Sequence, residues 1–244
     1  MEKISLIIPT RIRPQMMEAV WTSALNTAYD PTNLEVCFYI DNDDELSINK
    51  IKEMSNDSRV KYIIGERICL SKCWNEAQKI STGTIFWHGN DDCIFRSKNW
   101  DKLVIDEFEK YDDRLILVYG KDGIWDGKKK AINGWKCKHL IATAGFVHKN
   151  WIDVVGYFLP PYFVSDFNDT WLSEVFFSCN RMIYIPEIYI EHMHYSLGKM
   201  NKDQNSIDRE NRGAATNVNK LYNDLLNKRN LDIEKVTNYI ENFS

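Results

Sequence analysis

Apolar and polar positions along the first ninety residues predict strands that alternate with helices. Short apolar runs typical of buried strands cover residues 4–10, 34–40, 60–64 and 85–87. Between them, apolar residues recur at helical spacing along residues 14–28 and again along residues 71–80. This alternation predicts an α/β fold with a mostly parallel sheet and a ligand crevice at the carboxyl ends of its strands.

Acidic residues directly follow two of these predicted strands. Asp41 and Asp43 come after one strand, and Asn90, Asp91 and Asp92 come after another. A strand end of this kind presents oxygen ligands from a rigid edge, as a divalent cation that also holds phosphates requires. Adjacent acids at a strand end are also typical of a solvated turn, so the acids alone leave both interpretations open.

The order of motifs along the chain resembles family-2 glycosyltransferases with the glycosyltransferase-A fold. The motifs are SLIIPT at 5–10, IDNDD at 40–44, LSKCWN at 70–75, STGTIFW at 81–87 with the acids after it, NDTWL at 168–172, YIPE at 184–187 and EHMH at 191–194. They cover roughly residues 3–200. The resemblance implies a Rossmann-like, mostly parallel central sheet flanked by helices, with a C-terminal helical tail.

The resemblance also implies how the candidate site residues divide. Asp41 and Asp43 would hold the nucleobase of a nucleotide-sugar, and Asp92 would bind Mn²⁺ or Mg²⁺ in the position of the family's metal motif. One of His192 and His194 would complete the metal shell. The other candidates for contact with the donor are Pro9, Thr10, Arg11, Arg67, Lys72, Asn75, Asn90 and Asp91.

Two departures from the family pattern concern the phosphates of the donor. Gly89 or Asn90 stands where many relatives carry the first Asp of the metal motif, and Asn90 offers only a neutral oxygen. Trp74 stands where the family often has an Arg, just before the helix Asn. We therefore expect Lys72 or Arg67 to supply the charge that faces the phosphates.

Asp169 is the predicted catalytic base. It lies at the start of a helix expected over residues 170–180, where a carboxylate could take the proton of an acceptor hydroxyl. Asp166 is the competing candidate, and either acid could instead cap the helix. His192 and His194 would point to opposite faces of a strand, so we expect only one of them to face the crevice.

Length and composition fit one catalytic domain over residues 1–200, with a nucleotide-sugar half at about 1–95 and an acceptor half at about 96–200. Residues 201–244 would form a helical extension. The six cysteines lack a metal-binding spacing, and no apolar run reaches membrane-spanning length. Residues 1–3 lead directly into a strand, so we expect no signal peptide and a cytoplasmic location.

One basic segment, residues 121–138, contrasts with the net charge of −4, which gives no general affinity for nucleic acid. It contains Trp125, Lys128, Lys129, Lys130, Trp135, Lys136 and Lys138. The segment could be a solvated hairpin or a surface that stacks on and neutralises a phosphate-bearing acceptor. A glycan or small-molecule acceptor is slightly favoured, and modified DNA remains an alternative.

Together with the resemblance, these features predict a metal-dependent glycosyltransferase that moves a hexose or pentose from a UDP- or dTDP-linked donor to an acceptor hydroxyl. A single base without an evident nucleophile favours inversion. A nucleotidyltransferase would usually show a Gly-rich phosphate loop after the first strand, and residues 10–14 contain no Gly. The non-enzyme alternative is a sugar- or nucleic-acid-binding module. The oligomeric state stays open.

Overall fold

The computed structural model describes residues 2–124, 131–132, 135–136 and 141–243. Most of the basic segment lies outside the described residues, as do the side chains of Trp135 and Lys136; the residues concerned are Trp125, Lys128, Lys129, Lys130 and Lys138. The acceptor surface expected there stays a prediction. No helix in the described ranges combines the length and apolar character needed to span a membrane.

The strands and helices follow the predicted alternation through the first half of the chain. The strands are β1 Ile4–Thr10, β2 Leu34–Asp41, β3 Val60–Gly65, β4 Ile85–His88, β5 Cys93–Phe95, β6 Leu117–Lys121, β7 Ala131–Ile132, β8 Trp135–Lys136, β9 Gly145–His148 and β10 Met182–His192. The α-helices are α1 Pro14–Thr27, α2 Glu45–Met54, α3 Leu70–Lys79, α4 Trp100–Glu109, α5 Lys149–Val155, α6 Asn168–Ser178, α7 Gln204–Thr216, α8 Val218–Asp224 and α9 Leu226–Phe243.

Eight of the strands form one sheet in the order β3-β2-β1-β4-β9-β6-β10-β5. Strand β1 runs parallel to β2 and β4, β2 to β3, and β6 to β10. Strand β9 is antiparallel to both β4 and β6, and β5 is antiparallel to β10. Because β1, β2 and β4 run in the same direction, the polar residues that follow them meet at one edge of the sheet.

Both faces of the sheet are covered, which explains why β1 and β2 are apolar along nearly their whole length. Every residue of β2 is buried. One face packs against α1 and α4 through Trp21 and Trp100. The other face packs against α3, α5 and α6, and Trp151 and Trp171 lie in that layer. The sheet and its two helical layers therefore form the scaffold on which the strand ends are held.

The C-terminal helices pack on this scaffold. Val236 of α9 and Tyr222 of α8 are buried in the same layer as α6. Asp232 of α9 accepts hydrogen bonds from Tyr157 and from Trp171 Nε1, the latter at 3.0 Å. Arg229 lies 3.9 Å from the ring of Tyr222. The helical segment predicted after residue 200 is present, and buried polar contacts fix it to α6.

Asn75 of α3 was predicted to contact the nucleotide-sugar donor, but its side chain forms hydrogen bonds with backbone groups. Its Nδ2 donates to the carbonyl oxygens of Ser71 and Leu159 at 2.9 and 2.7 Å. Its Oδ1 accepts from the amides of Phe158 and Leu159 at 2.8 and 3.1 Å. These bonds use the donors and acceptors of the side chain to connect α3 to the loop that precedes α6. Asn75 therefore holds the backbone of Phe158 and Leu159 in place.

Replacing Asn75 with Ala should destabilise the fold, because the amides of Phe158 and Leu159 lose their acceptor. Two unsatisfied backbone donors of this kind cost roughly 2–4 kcal/mol, which lowers the melting temperature by roughly 5–15 °C in a chain of this size. Thermal unfolding monitored by circular dichroism measures the shift. Asn56→Ala is the matched control, since Asn56 is exposed and donates to the carbonyl of Glu53 at 3.0 Å. Equal shifts in the two variants would contradict this role.

Candidate functional site

A cavity of about 620 Å³ opens at the edge where β1 and β4 end. Seven of the predicted site residues line it: Pro9, Asn90, Asp91, Asp92, Asp169, His192 and His194. Thr10 lies directly behind, and its Oγ1 donates to Asp91 Oδ2 at 2.7 Å. The cavity therefore joins residues that are far apart in the sequence and that were predicted to bind donor, metal and acceptor.

Asp91 and Asp92 are both buried at the floor of this cavity. Burial and the negative charge of Asp92 together raise the pKa of Asp91 to about 6, against the opposing effect of Arg13. Burial also acts to raise the pKa of Asp92. The neighbouring His192 and Arg13 outweigh it and hold that pKa below its ordinary value. Asp92 is thus the acid of the pair that most readily carries a negative charge.

Arg13, which the sequence analysis did not single out, connects these acids to the C-terminal helices. Its Nη1 lies 2.9 Å from Asp91 Oδ1 and 3.2 Å from Asp92 Oδ2. Its Nε and Nη2 donate to Asp203 at 2.6 and 3.0 Å, and Nη2 also donates to Ser206 at 3.1 Å. We call these five residues the Arg13 cluster. The sequence feature that could have identified Arg13 is its position just after the first strand, at the edge where the acids that follow the other strands converge.

His192 and His194 both face the cavity. The expectation that only one of them does so is wrong, because β10 ends at His192 and His194 already belongs to the turn that follows. The two rings lie 5.3 Å apart between centroids. Nε2 of His192 lies 3.1 Å from Asp92 Oδ1, and His194 Nδ1 contacts the hydroxyl of Ser196 at 2.7 Å. Both imidazoles are therefore available at the same side of the cavity.

Asp92 and His192 fit the requirements of a divalent cation as a pair. Asp92 Oδ1 is buried and lies 3.1 Å from Nε2 of His192, so one carboxylate oxygen and one imidazole nitrogen face each other at the cavity. Carboxylate oxygens are ligands that suit Mg²⁺ and Mn²⁺. Within the described ranges, however, no three His, Cys, Asp or Glu side chains converge to hold a metal ion.

Asp169 lies in the first turn of α6, on the wall of the cavity. Its Oδ1 accepts from the amide of Thr170 at 2.7 Å. Burial raises the pKa of Asp169 to about 6, partly opposed by that hydrogen bond. The start of α6 is held by Ser71 of α3, whose Oγ lies 2.7 Å from Asn168 Oδ1. The competing acid, Asp166, is more exposed and pairs with Arg209 at 2.7 Å. The charge of Asp166 is thus already balanced.

The predicted nucleobase residues form a neighbouring group that does not line the cavity. Nη1 of Arg11 lies 2.9 Å from Asp41 and 2.5 Å from Asp43. Asp41 is buried, whereas more than half of the Asp43 side chain is exposed. Arg67 pairs with Asp208 of α7 at 2.9 Å and lies 3.9 Å from Asp41. The difference in burial shows that Asp41, rather than Asp43, lies on the inner side of the strand end.

Helix α7 supplies cavity residues from the segment that the sequence analysis assigned only to a helical extension. Four of its side chains line the cavity: Asn205, Ser206, Arg209 and Arg212. Their spacing places them on one face of the helix. Lys72 of α3, in contrast, is exposed and lies outside the cavity lining. The spacing of these polar residues indicates one helix face, but the position of that face over the strand ends depends on tertiary contacts.

Comparison with known proteins identifies the family. The sequence profile described as "Glycosyl transferase family 2" matches residues 5–143, more than half of the chain. The chain belongs to glycosyl transferase family 2. The resemblance seen in the motifs is therefore confirmed. No curated protein matches the sequence of this family-2 chain.

Solved structures with a similar fold agree with this assignment. The mannosyltransferase PcManGT from Pyrobaculum calidifontis, in complex with GDP-Man and Mn²⁺, has a TM-score of 0.59 and 12% identity over 78% of this chain and 56% of its own. S. aureus TarS 1–349 in complex with UDP has a TM-score of 0.60 and 16% identity over 78% and 60%. In complex with UDP-GlcNAc, it has a TM-score of 0.57 and 14% identity over 78% and 60%. The predicted glycosyltransferase-A fold is confirmed. This chain spans less than two thirds of the length of those proteins.

Removing the charge of Arg13 should destabilise the protein strongly. Arg13→Gln leaves Asp91, Asp92 and Asp203 near one another without their shared cation, and breaking a buried ion pair costs about 3–5 kcal/mol. The free energy of unfolding in urea measures this loss. Lys102→Gln is the control, because it removes an exposed pair with Asp106 and should change stability little. Similar losses in both variants would show that the Arg13 cluster does not hold the site together.

Proposed function

We propose that the protein transfers a sugar from a nucleoside-diphosphate sugar to an acceptor hydroxyl, with inversion at the anomeric carbon. The observation that carries this proposal is the shared cavity. Asp91 and Asp92 lie at its floor, and Asp169, an acid without a paired cation among the described residues, lies on its wall. Membership of glycosyl transferase family 2 supports the same chemistry.

We infer that the donor lies along the carboxyl edge of β1, β2 and β4. Pro9, Thr10 and Asn90 border that edge, with Arg11 and Asp41 next to it. Asp41 could accept hydrogen bonds from the edge of a pyrimidine ring, which supports a UDP- or dTDP-linked donor. Structures of similar fold hold both UDP-linked and GDP-linked sugars, so the choice of base must be measured.

The proposed metal is Mn²⁺ or Mg²⁺. Asp92 would hold it together with His192 or His194, and Asp91 and Asn90 would support the site from the same turn. A cation held there would neutralise the charge of the departing diphosphate. The similar mannosyltransferase is described in complex with Mn²⁺, and this supports a metal in the present chain.

In the proposed reaction, Asp169 accepts the proton of the acceptor hydroxyl while that oxygen attacks the anomeric carbon. The bond from the anomeric carbon to the diphosphate oxygen breaks in the same displacement, and the nucleoside diphosphate leaves with the electron pair. One displacement inverts the configuration. Asp169 is better suited to this role than Asp166, since Arg209 already pairs with Asp166 at 2.7 Å.

Asp92→Ala should remove metal-stimulated hydrolysis of the donor by lowering the rate at least about a hundredfold, since the cation that would neutralise the leaving diphosphate loses a ligand. The assay compares UDP-glucose, UDP-GlcNAc, dTDP-glucose and GDP-mannose with and without Mn²⁺. We expect activity with a UDP- or dTDP-linked donor and none with GDP-mannose.

Asp106→Asn is the control variant for Asp92, because Asp106 lies on the exposed side of α4 in a pair with Lys102. It should retain the activity of the unmodified protein. Full metal-dependent hydrolysis by Asp92→Ala would refute the assignment of Asp92. If the unmodified protein hydrolyses none of these donors and transfers no sugar, a binding module without turnover becomes the better interpretation.

Asp169→Asn should keep donor affinity and lower the rate of sugar transfer by roughly two to four orders of magnitude. In the unmodified protein, kcat/KM should fall as the pH drops through about 6, because the protonated carboxyl cannot accept a proton. Initial rates of transfer between pH 4.5 and 8 measure both effects. A large loss in Asp166→Asn with little loss in Asp169→Asn would move the base to Asp166.

A further inference from the structure

Helix α7 lies against the donor side of the cavity through two ion pairs. Its N-cap residue, Asp203, binds Arg13 in the turn after β1, and Asp208 binds Arg67 in the segment after β3. Arg209 and Arg212 follow on the face that lines the cavity. The helix therefore brings two guanidinium groups to the place where the strand ends meet.

The arginines around this cavity differ in whether their charge is balanced. Arg13 has Asp91, Asp92 and Asp203, Arg67 has Asp208, and Arg209 has Asp166 at 2.7 Å. The guanidinium of Arg212 makes neither a hydrogen bond nor an ion pair with any described residue, and its Nε is buried. A buried donor without an acceptor is costly, so the arrangement favours a ligand that supplies one.

The surroundings of Arg212 favour an anion as that ligand. Burial lowers the pKa of Arg212, and the positive charge of Arg67 lowers it further, whereas Asp41 and Asp208 act in the opposite direction. Two guanidinium groups that repel each other across a partly buried space are both stabilised by an anion between them. Phosphate oxygens match the fork of N–H donors that a guanidinium presents.

Helix α3 does not supply this charge. Trp74 lines the cavity, and its Nε1 donates to the carbonyl of Gly89 at 3.1 Å. Lys72, on the same helix, is exposed and outside the lining. Arg212 lines the cavity together with Trp74 and approaches it from α7.

We propose that Arg212, with Arg67 as its neighbour, binds the diphosphate of the nucleotide-sugar, so that α7 provides the phosphate-facing charge that α3 lacks. This inference rests on the proposed function, because it assumes that a nucleotide diphosphate enters the cavity. The donor is preferred over a phosphate on the acceptor because Arg67 lies 3.9 Å from Asp41, at the end of β2.

Isothermal titration calorimetry with UMP, UDP, GMP and GDP, in the presence of EDTA, tests the proposal. In the unmodified protein, the diphosphate of the preferred base should bind more tightly than its monophosphate. Arg212→Gln should lower diphosphate affinity roughly ten- to a hundredfold, as expected for the loss of a charged hydrogen bond, and should leave monophosphate affinity nearly unchanged. Arg212→Lys should recover part of the loss.

The control is Lys220→Gln on α8, which removes an exposed charge paired with Asp224 and should bind UDP and GDP like the unmodified protein. Equal diphosphate affinity in Arg212→Gln and the unmodified protein would overturn the inference while leaving the proposed function in place. A loss of diphosphate affinity in Lys72→Gln but not in Arg212→Gln would assign the phosphate contact to α3 instead of α7.

Two further outcomes separate this inference from the proposed function. If the unmodified protein binds neither these four nucleotides nor dTDP, even when Mn²⁺ replaces EDTA, the inference and the proposed function fail together. If Arg212→Gln binds diphosphates normally but loses transfer to a phosphorylated acceptor, Arg212 contacts the acceptor, and the assignment to the donor is overturned. Circular dichroism of each variant verifies that the fold is retained.

Discussion

The buried guanidinium of Arg13 is the constraint on which the site depends. A charge removed from water must be balanced locally, and Arg13 does this with three carboxylates and one hydroxyl. Those partners come from the turn after β4 and from the beginning of α7. One side chain therefore connects the acidic floor of the cavity to the helix that covers the proposed donor side.

The same balance of charges separates the functions of neighbouring acids. Asp91 shares its ion-pair partner Arg13 with Asp92 and accepts a hydrogen bond from Thr10. Burial keeps the pKa of Asp91 near 6. Asp92 has one oxygen 3.2 Å from Arg13 and the other 3.1 Å from His192 Nε2. Of the two, Asp92 is therefore the proposed metal ligand. On the opposite wall, Asp166 is neutralised by Arg209 while Asp169 keeps its charge available, which again assigns different roles to similar side chains.

The direction of the strands explains why the residues proposed to bind the donor and the acceptor meet. The first four strands in the sheet order, β3, β2, β1 and β4, run parallel, so the residues that follow β1, β2 and β4 collect at one edge. Strand β9 then runs antiparallel next to β4. Helix α6, between β9 and β10, places Asp169 at the cavity, held by the contact between Ser71 and Asn168.

The sequence by itself determined the parts of this protein that depend on local patterns. Apolar runs predicted β1, β2, β3 and β4, helical spacing predicted α1 and α3, and the motifs predicted the family. Only the tertiary structure showed that Asn75 binds backbone and that both histidines face the cavity. It also revealed the roles of Arg13 and α7, because the partners of Arg13 lie 78 to 193 residues away in the sequence. Periodicity and propensity act over a few residues, whereas a buried charge takes its partners from whichever chain segments the packed sheet brings together.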